Sequence, residues 1–350
     1  MARSSRIDEA VGLLQERLPD GWTVSLTRRA SADADIRVAA PSGQTGEVEV
    51  KLLRDGTPRS IAALPSADGP LLVVADWLSE RSRQLLRAVG VSFIDATGNA
   101  EVQLSEPGLF IRTNGAIRNP SPAPNKGPNL RGPKAWALLR TLVECRPPLG
   151  VRELAEAVDV DAGYVSRVLR VLEEELLIAR QARGPVTSVE WGSVLRRAST
   201  SYAVFDANVS TTWVATSGPE RLLDDLVGKR AGRWAVTGSF AAARLAPVAA
   251  PEQAVIYAED VDRLVRTVRL LPATRGANVV LLEPYDPIVF EGITTSDGAP
   301  TVSVAQTALD CLRGNARMPA EGEALLAWMR KNEQRWRADT LASRKTRAAS

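Results

Sequence analysis

Residues 150–180 read GVRELAEAVDVDAGYVSRVLRVLEEELLIAR, and their spacing decides the architecture of the middle of the chain. Leu154, Ala155 and Val158 fall on one face of a short helix. Val165, Val168, Leu169 and Leu172 then recur at the three- and four-residue intervals of a second buried face. Residues 158–161 form the turn between them. Asp161 is placed to cap the second helix by accepting from its free backbone donors. Ala155 is small where two such helices must cross closely. The opposite face of the second helix carries Tyr164, Ser166, Arg167 and Arg170.

The flanks extend this pair on both sides. Residues 133–145 read as an earlier helix bearing Lys134 and Arg140. Residues 176–178 and 186–191 read as two strands of a hairpin, with Arg180, Arg183 and Gly184 at or near its tip. Over about sixty residues this order resembles winged helix-turn-helix regulators, which places the module at 133–195. The resemblance implies double-stranded DNA as partner, with the second helix entering the major groove and its N-terminal half meeting base edges. Tyr164, Ser166, Arg167 and Arg170 would then read bases, while Lys134, Arg152, Arg180 and Arg183 would hold phosphates. No cofactor is required for such binding. Glu173, Glu174 and Glu175 lie at the far end of the helix, away from the groove. Operator-binding regulators are commonly dimers, so a homodimer is a candidate partner, although no coiled-coil heptads stand ready to carry it.

Upstream, residues 114–133 read NGAIRNPSPAPNKGPNLRGP, too rich in Pro, Gly and Asn for regular structure. A linker is expected at 114–132, with an α/β domain at 1–113 before it. That domain opens with an amphipathic helix carrying Ile7, Val11, Leu14 and Leu18. Strands are expected at 22–27, 35–39, 47–53, 71–75, 91–94 and 100–104, with a helix at 79–89. Asp35 opens one strand, and Glu49 and Lys51 point to one face of the next. Acids on neighbouring strands with a lysine beside them can hold Mg²⁺ and orient a water against phosphate. With the element order, these residues resemble the PD-(D/E)xK nuclease-like, or restriction-endonuclease-like, fold. The resemblance implies Asp35, Glu49 and Lys51 as catalytic positions and Asp35 and Glu49 as metal ligands, with Mg²⁺ as cofactor if the site is active. Ala34 stands where the proline of the motif would be. Asp95 and Asn99 belong to a tight turn in which Gly98 permits positive φ.

Downstream, a weaker boundary falls near 195–202. Extended segments are expected at 202–205, 212–216, 234–237, 254–257 and 279–282. Helices are expected at 219–226, 239–245, 261–270, 304–312 and 320–331. Gly238-Ser239 followed by Asp260 and Asp262 suggests nucleotidyltransfer, but both aspartates stand where helix caps belong. The linear order WAVTGSFAAARL, VIYAEDVDRL, NVVLLEPYD and VSVAQTALDCL, following the winged module, resembles the AbiEi-type antitoxins. That resemblance implies an α/β domain at 200–332, an operon-repressing role and a toxin as partner. A basic tail, 333–350, closes the chain.

Composition narrows the classes. There is no histidine, which excludes Ser-His-Asp and Cys-His catalysis and histidine-ligated metals. Cys145 and Cys311 are the two cysteines and sit apart within helices, as buried thiols. The net charge of +3 is too small for a polycation, but basic stretches at 112–134 and after Trp328 suit phosphate. No apolar run reaches membrane-spanning length and the first twenty residues lack a signal-peptide pattern, so a cytoplasmic protein without membrane partner is expected. The expected fold is α/β multidomain. The expected function is transcriptional regulation by a repressor or antitoxin-like DNA binder. The alternatives are a metal-dependent nuclease brought to DNA by its winged helix, and an antitoxin acting by protein contact.

Overall fold

The computed structural model describes all residues except 1, 30–32, 54, 66–68, 122–129, 183, 296–297 and 347–350. The chain is a mixed α/β protein with three sheets. It divides into two compact bodies, Met1–Asn125 with Glu174–Leu176, and Lys126–Glu173 with Leu177–Ser350.

The first body contains helix α1 (Ala2–Gln15), strands β1 (Thr23–Arg29), β2 (Asp33–Ala39) and β3 (Thr45–Leu53), helix α2 (Pro58–Ala62), strand β4 (Leu71–Ala75), helix α3 (Glu80–Ala88), and strands β5 (Ser92–Asp95), β6 (Ala100–Leu104) and β7 (Leu109–Thr113). The seven strands lie side by side in chain order. Hairpins join β1–β2–β3 and β5–β6–β7 antiparallel, whereas β3–β4–β5 run parallel and need crossovers that carry α2 and α3. Period-two alternation sends Ala34, Ile36, Val38, Val48 and Val50 to one face, where Ile7 and Leu14 of α1 cover them. Leu71, Val73 and Phe93 face the other way and pack with Ile61, Leu78 and Leu86. The expected strand order holds, with α2 and β7 additional to it. The carboxylate of Asp95, fully buried, accepts from the backbone N–H groups of Leu78, Thr97 and Asn99 at 2.9–3.0 Å and from the Thr97 and Asn99 side chains. It is a turn-building residue, with Gly98 at φ 105°.

The second body begins with α4 (Pro133–Glu144), α5 (Val151–Val158), α6 (Ala162–Glu174), the hairpin β8 (Ile178–Arg180) and β9 (Val186–Val189), and α7 (Trp191–Ser199). It continues through α8 (Val204–Ala207), β10 (Val209–Val214), α9 (Pro219–Leu226), β11 (Trp234–Thr237), α10 (Gly238–Ala243), β12 (Ala254–Ala258), α11 (Val261–Val268), β13 (Leu271–Pro272) and β14 (Val279–Glu283). After a 3-10 turn at Pro287–Phe290 come α12 (Val304–Leu312), α13 (Met318–Lys331), α14 (Glu333–Trp336) and α15 (Leu341–Thr346). The five-stranded sheet has the order β11-β12-β14-β10-β13, with only β12–β14 parallel.

Three sequence expectations change here. The break placed between 195 and 200 is crossed by α7, whose Trp191, Val194, Leu195 and Ala198 are buried in a core running from the three-helix module to α12 and the sheet. Residues 202–205, read as extended, instead lead into α8, because Tyr202 and Val204 are drawn into that core. The basic tail, expected to suit phosphate, folds back as α14 and α15 with Arg337 and Arg344 buried. Among the described residues no helix is long and apolar enough to cross a membrane.

Candidate nucleic-acid interface

The α5–α6 turn forms as its residue types dictate. Asp159 ends α5 in the left-handed region at φ 52°, a conformation aspartate tolerates. Asp161 accepts the Tyr164 N–H at 2.7 Å and so caps α6. Glu153 accepts the Gly150 N–H at 3.1 Å at the start of α5. Val165, Val168, Leu169 and Leu172 are wholly buried against Leu154, Ala155 and Val158. Leu149 exchanges two backbone hydrogen bonds with Val186, at 2.9 and 3.1 Å, and so adds a third extended segment to the β8–β9 hairpin. The hairpin begins later than the sequence suggested, since Leu176 takes φ 52° and Leu177 closes onto Leu172 at 2.8 Å.

The solvent face of α6 carries Arg167 and Arg170, both exposed, with Ser166 half-buried beside them. Neither arginine has an ion pair among the described residues. The Arg167 guanidinium lies over the first turn, where the absence of a side chain at Gly163 leaves room. A Cβ there would stand 2.9 Å from the Asp161 carboxylate and 3.5 Å from the guanidinium. Tyr164 is half-buried and packs on the core. Burial pushes its hydroxyl above the usual range and the Arg167 charge pulls the other way, so it is a neutral donor near pH 7. Arg152 is exposed on α5. Arg131, Lys134 and Pro133 at the start of α4 face Val160, Asp161 and Tyr164 across an open depression of about 350 Å³.

Two expected phosphate contacts are engaged within the fold. Lys134 donates to the Val158 carbonyl at 3.3 Å, at the C-terminal end of α5, and lies 3.7 and 3.9 Å from the carboxylates of Asp286 and Asp159. A cation there answers the unsatisfied carbonyls of the helix end. Arg180 turns back to the Gly184 carbonyl at 3.1 Å and ties the end of β8 to the loop that follows it. Arg183 lies outside the described residues.

In the first body, β2 and β3 pair Asp35 directly with Glu49, and Lys51 reaches Glu49 at 3.2 Å on the same face. All three are partly exposed or lie at the edge of the core. Among the described residues no group of three or more acidic or cysteine side chains is placed to hold a metal ion. In the second body Asp260 caps α11, accepting from Arg263 N–H at 2.8 Å, and Ser239 donates to Glu321. This geometry uses them as structural groups.

Sequence inspection missed two buried polar centres in this body. Arg140, placed on the first helix with no partner assigned, is 1% exposed. It pairs with Glu144 at 2.7 Å and donates to the Ile288 and Glu291 carbonyls. Glu144 also accepts from Arg344 and Ser303. Burial alone would raise its carboxyl, but Arg140 and Arg344 outweigh burial and hold it at about 2. Asp310 accepts from Tyr202 and Thr237 at 2.6 Å and from Gln306 at 2.7 Å, with Tyr257 at 3.1 Å. Burial pushes Asp310 up to about 6 against the opposing pull of those hydrogen bonds. A lone acid four residues after a glutamine in the otherwise apolar VAQTALDCL was the available signal.

A family model described as HVO_A0114, a family of unknown function, matches residues 132–194, the span from α4 to the start of α7. No curated protein and no solved structure matches the chain.

Proposed function

We propose that this chain is a sequence-specific double-stranded DNA-binding protein, a transcriptional regulator of the repressor or antitoxin-like kind. The observation that carries the proposal is the two-sidedness of α6. One face is locked into the core through Val165, Val168, Leu169 and Leu172, and the other offers Ser166, Arg167 and Arg170 to solvent without ion-pair partners among the described residues. Arginine pairs bidentately with guanine in the major groove, and a helix is what that groove admits. Tyr164 and Gly163 at the first turn leave α6 free to approach base edges with its N-terminal half. Arg152, Arg131 and the β8–β9 loop contribute backbone contacts that fix register. The test is fluorescence anisotropy with a pool of genomic duplexes, the protein's own promoter included, in EDTA at two salt concentrations. Salt-sensitive binding with one preferred fragment supports the proposal, and absence of binding at both salts refutes it.

A second reading rests on the direct pairing of Asp35 with Glu49 and on Lys51 beside them. In it the first body is a metal-dependent nuclease whose two carboxylates would share Mg²⁺ with substrate phosphate. Supercoiled plasmid incubated with Mg²⁺ or Mn²⁺ decides it. Nicking that Lys51→Ala abolishes supports cleavage chemistry, and intact plasmid under both metals removes it. The antitoxin form of the regulator adds a toxin as protein partner, which co-purification with the product of an adjacent reading frame would reveal.

A further inference from the structure

The chain after α13 returns to the winged module and grips it at the two points where the backbone enters and leaves the helix-turn-helix and wing. At the entry, Arg337 donates to the Val143 carbonyl at 3.0 Å and the Cys145 carbonyl at 2.7 Å. Ala338 donates its N–H to the Glu144 carbonyl at 2.7 Å and accepts the Arg146 N–H at 2.8 Å. These contacts satisfy the carbonyls that the end of any helix leaves open, and they fix the loop from which α5 starts. At the exit, Trp336 meets Trp191 edge to face with ring centroids 5.0 Å apart, and the Trp191 indole N–H points at Glu333. Arg344, 3% exposed, then joins Glu144 of α4 to Glu291 of the sheet body, and Leu341 packs on the module's core.

We propose that residues 332–346 are a strap that sets the position of the DNA-reading head, with Arg337 and Arg344 as its positioning residues. The proposal rests on the DNA-binding reading for its purpose, but the strap itself is testable without DNA. A contact confined to general stability would slacken the whole body when lost. A strap clamped at 143–146 and 191 instead slackens the segment between those points. Arg344→Ala leaves Glu144 paired with Arg140 and Ser303, so the variant retains a satisfied core carboxylate.

The experiment is amide hydrogen exchange on the full chain, wild type against Arg344→Ala and Arg337→Ala/Arg344→Ala, followed by duplex binding. The expected result is exchange at least tenfold faster in α5, α6 and the wing, with β12 and β14 unchanged. Affinity for the preferred duplex falls about tenfold while affinity for a scrambled duplex holds, and Arg344→Lys recovers part of the loss. Unchanged exchange in α5 and α6, or uniform acceleration through β12 and β14, overturns the strap. Slackened α5 and α6 in a protein that binds no duplex leaves the strap standing and overturns the DNA reading instead.

Discussion

Helices α4 and α6 belong to one module and both carry arginine, yet they treat it in opposite ways. In α4 every residue from Ala135 to Glu144 is buried, because α5 packs on it from within the module while α7 and α12 close over the rest. Its Arg140 is consumed by Glu144, Gln306 and two carbonyls. In α6 only one stripe is buried, and Arg167 and Arg170 stand in solvent. A charge held by internal partners defines the fold, while a charge left to water is available to a ligand. Residue type alone does not separate the two cases.

Substitutions should widen that contrast. The largest effect is expected on the buried side. Glu144→Ala removes the buried counter-charge that Arg140 and Arg344 share, and breaking such a pair costs about 3–5 kcal/mol, to be read as a lower urea midpoint at unchanged slope. Next comes the pH dependence of the two buried carboxylates, which have opposite signs. Glu144 is depressed from 4.5 to about 2, so its stabilisation is full above 4.5 and disappears as pH falls through 2. Asp310 is raised from 3.8 to about 6, so the folded state binds the extra proton and this group's contribution falls as pH rises from 3.8 through 6. A tenfold difference in proton affinity between folded and unfolded chains is worth about 1.4 kcal/mol. Denaturation midpoints between about pH 4 and 6.5 should therefore decline less steeply in Asp310→Asn than in wild type, and parallel curves would count against the assignment.

On the exposed side, Arg167→Ala should weaken binding to the preferred duplex by about 1–3 kcal/mol with the melting temperature unmoved. Equal operator affinity would remove Arg167 from the reading surface. The smallest change is expected from Asp161→Ala, which deletes the α6 cap and costs about 1 kcal/mol of stability. A loss confined to stability, with specific affinity intact, would show that the turn tolerates fraying while α6 still reads.

How much of this was legible in the sequence follows from the range of each interaction. The buried stripe of α6, the Asp161 cap and the Asp35–Glu49–Lys51 face are local patterns of period 3.6 or 2, and they emerge where the spacing put them. The burial of Arg140 was not legible, because its partners at 288, 291 and 306 are some 150 residues distant. The basic tail suggested phosphate rather than internal partners for the same reason, since Arg337 and Arg344 meet Val143, Glu144 and Cys145 nearly 200 residues back. Lys134 and Arg180 are intermediate cases. Their positions near a helix end and a wing tip were legible, but the carbonyls that capture them were not.

The burial of α4 on all sides also bears on how such a protein can change. Residues 133–195 are no cassette. Lifted into another protein, they would expose the apolar face that α12 and the rest of α7 now cover, and Arg140 and Glu144 would be left facing strangers. Positions 166, 167 and 170 lie outside the buried stripe of α6, so under the proposed DNA binding new target preferences are open to drift one side chain at a time while the scaffold beneath stays frozen.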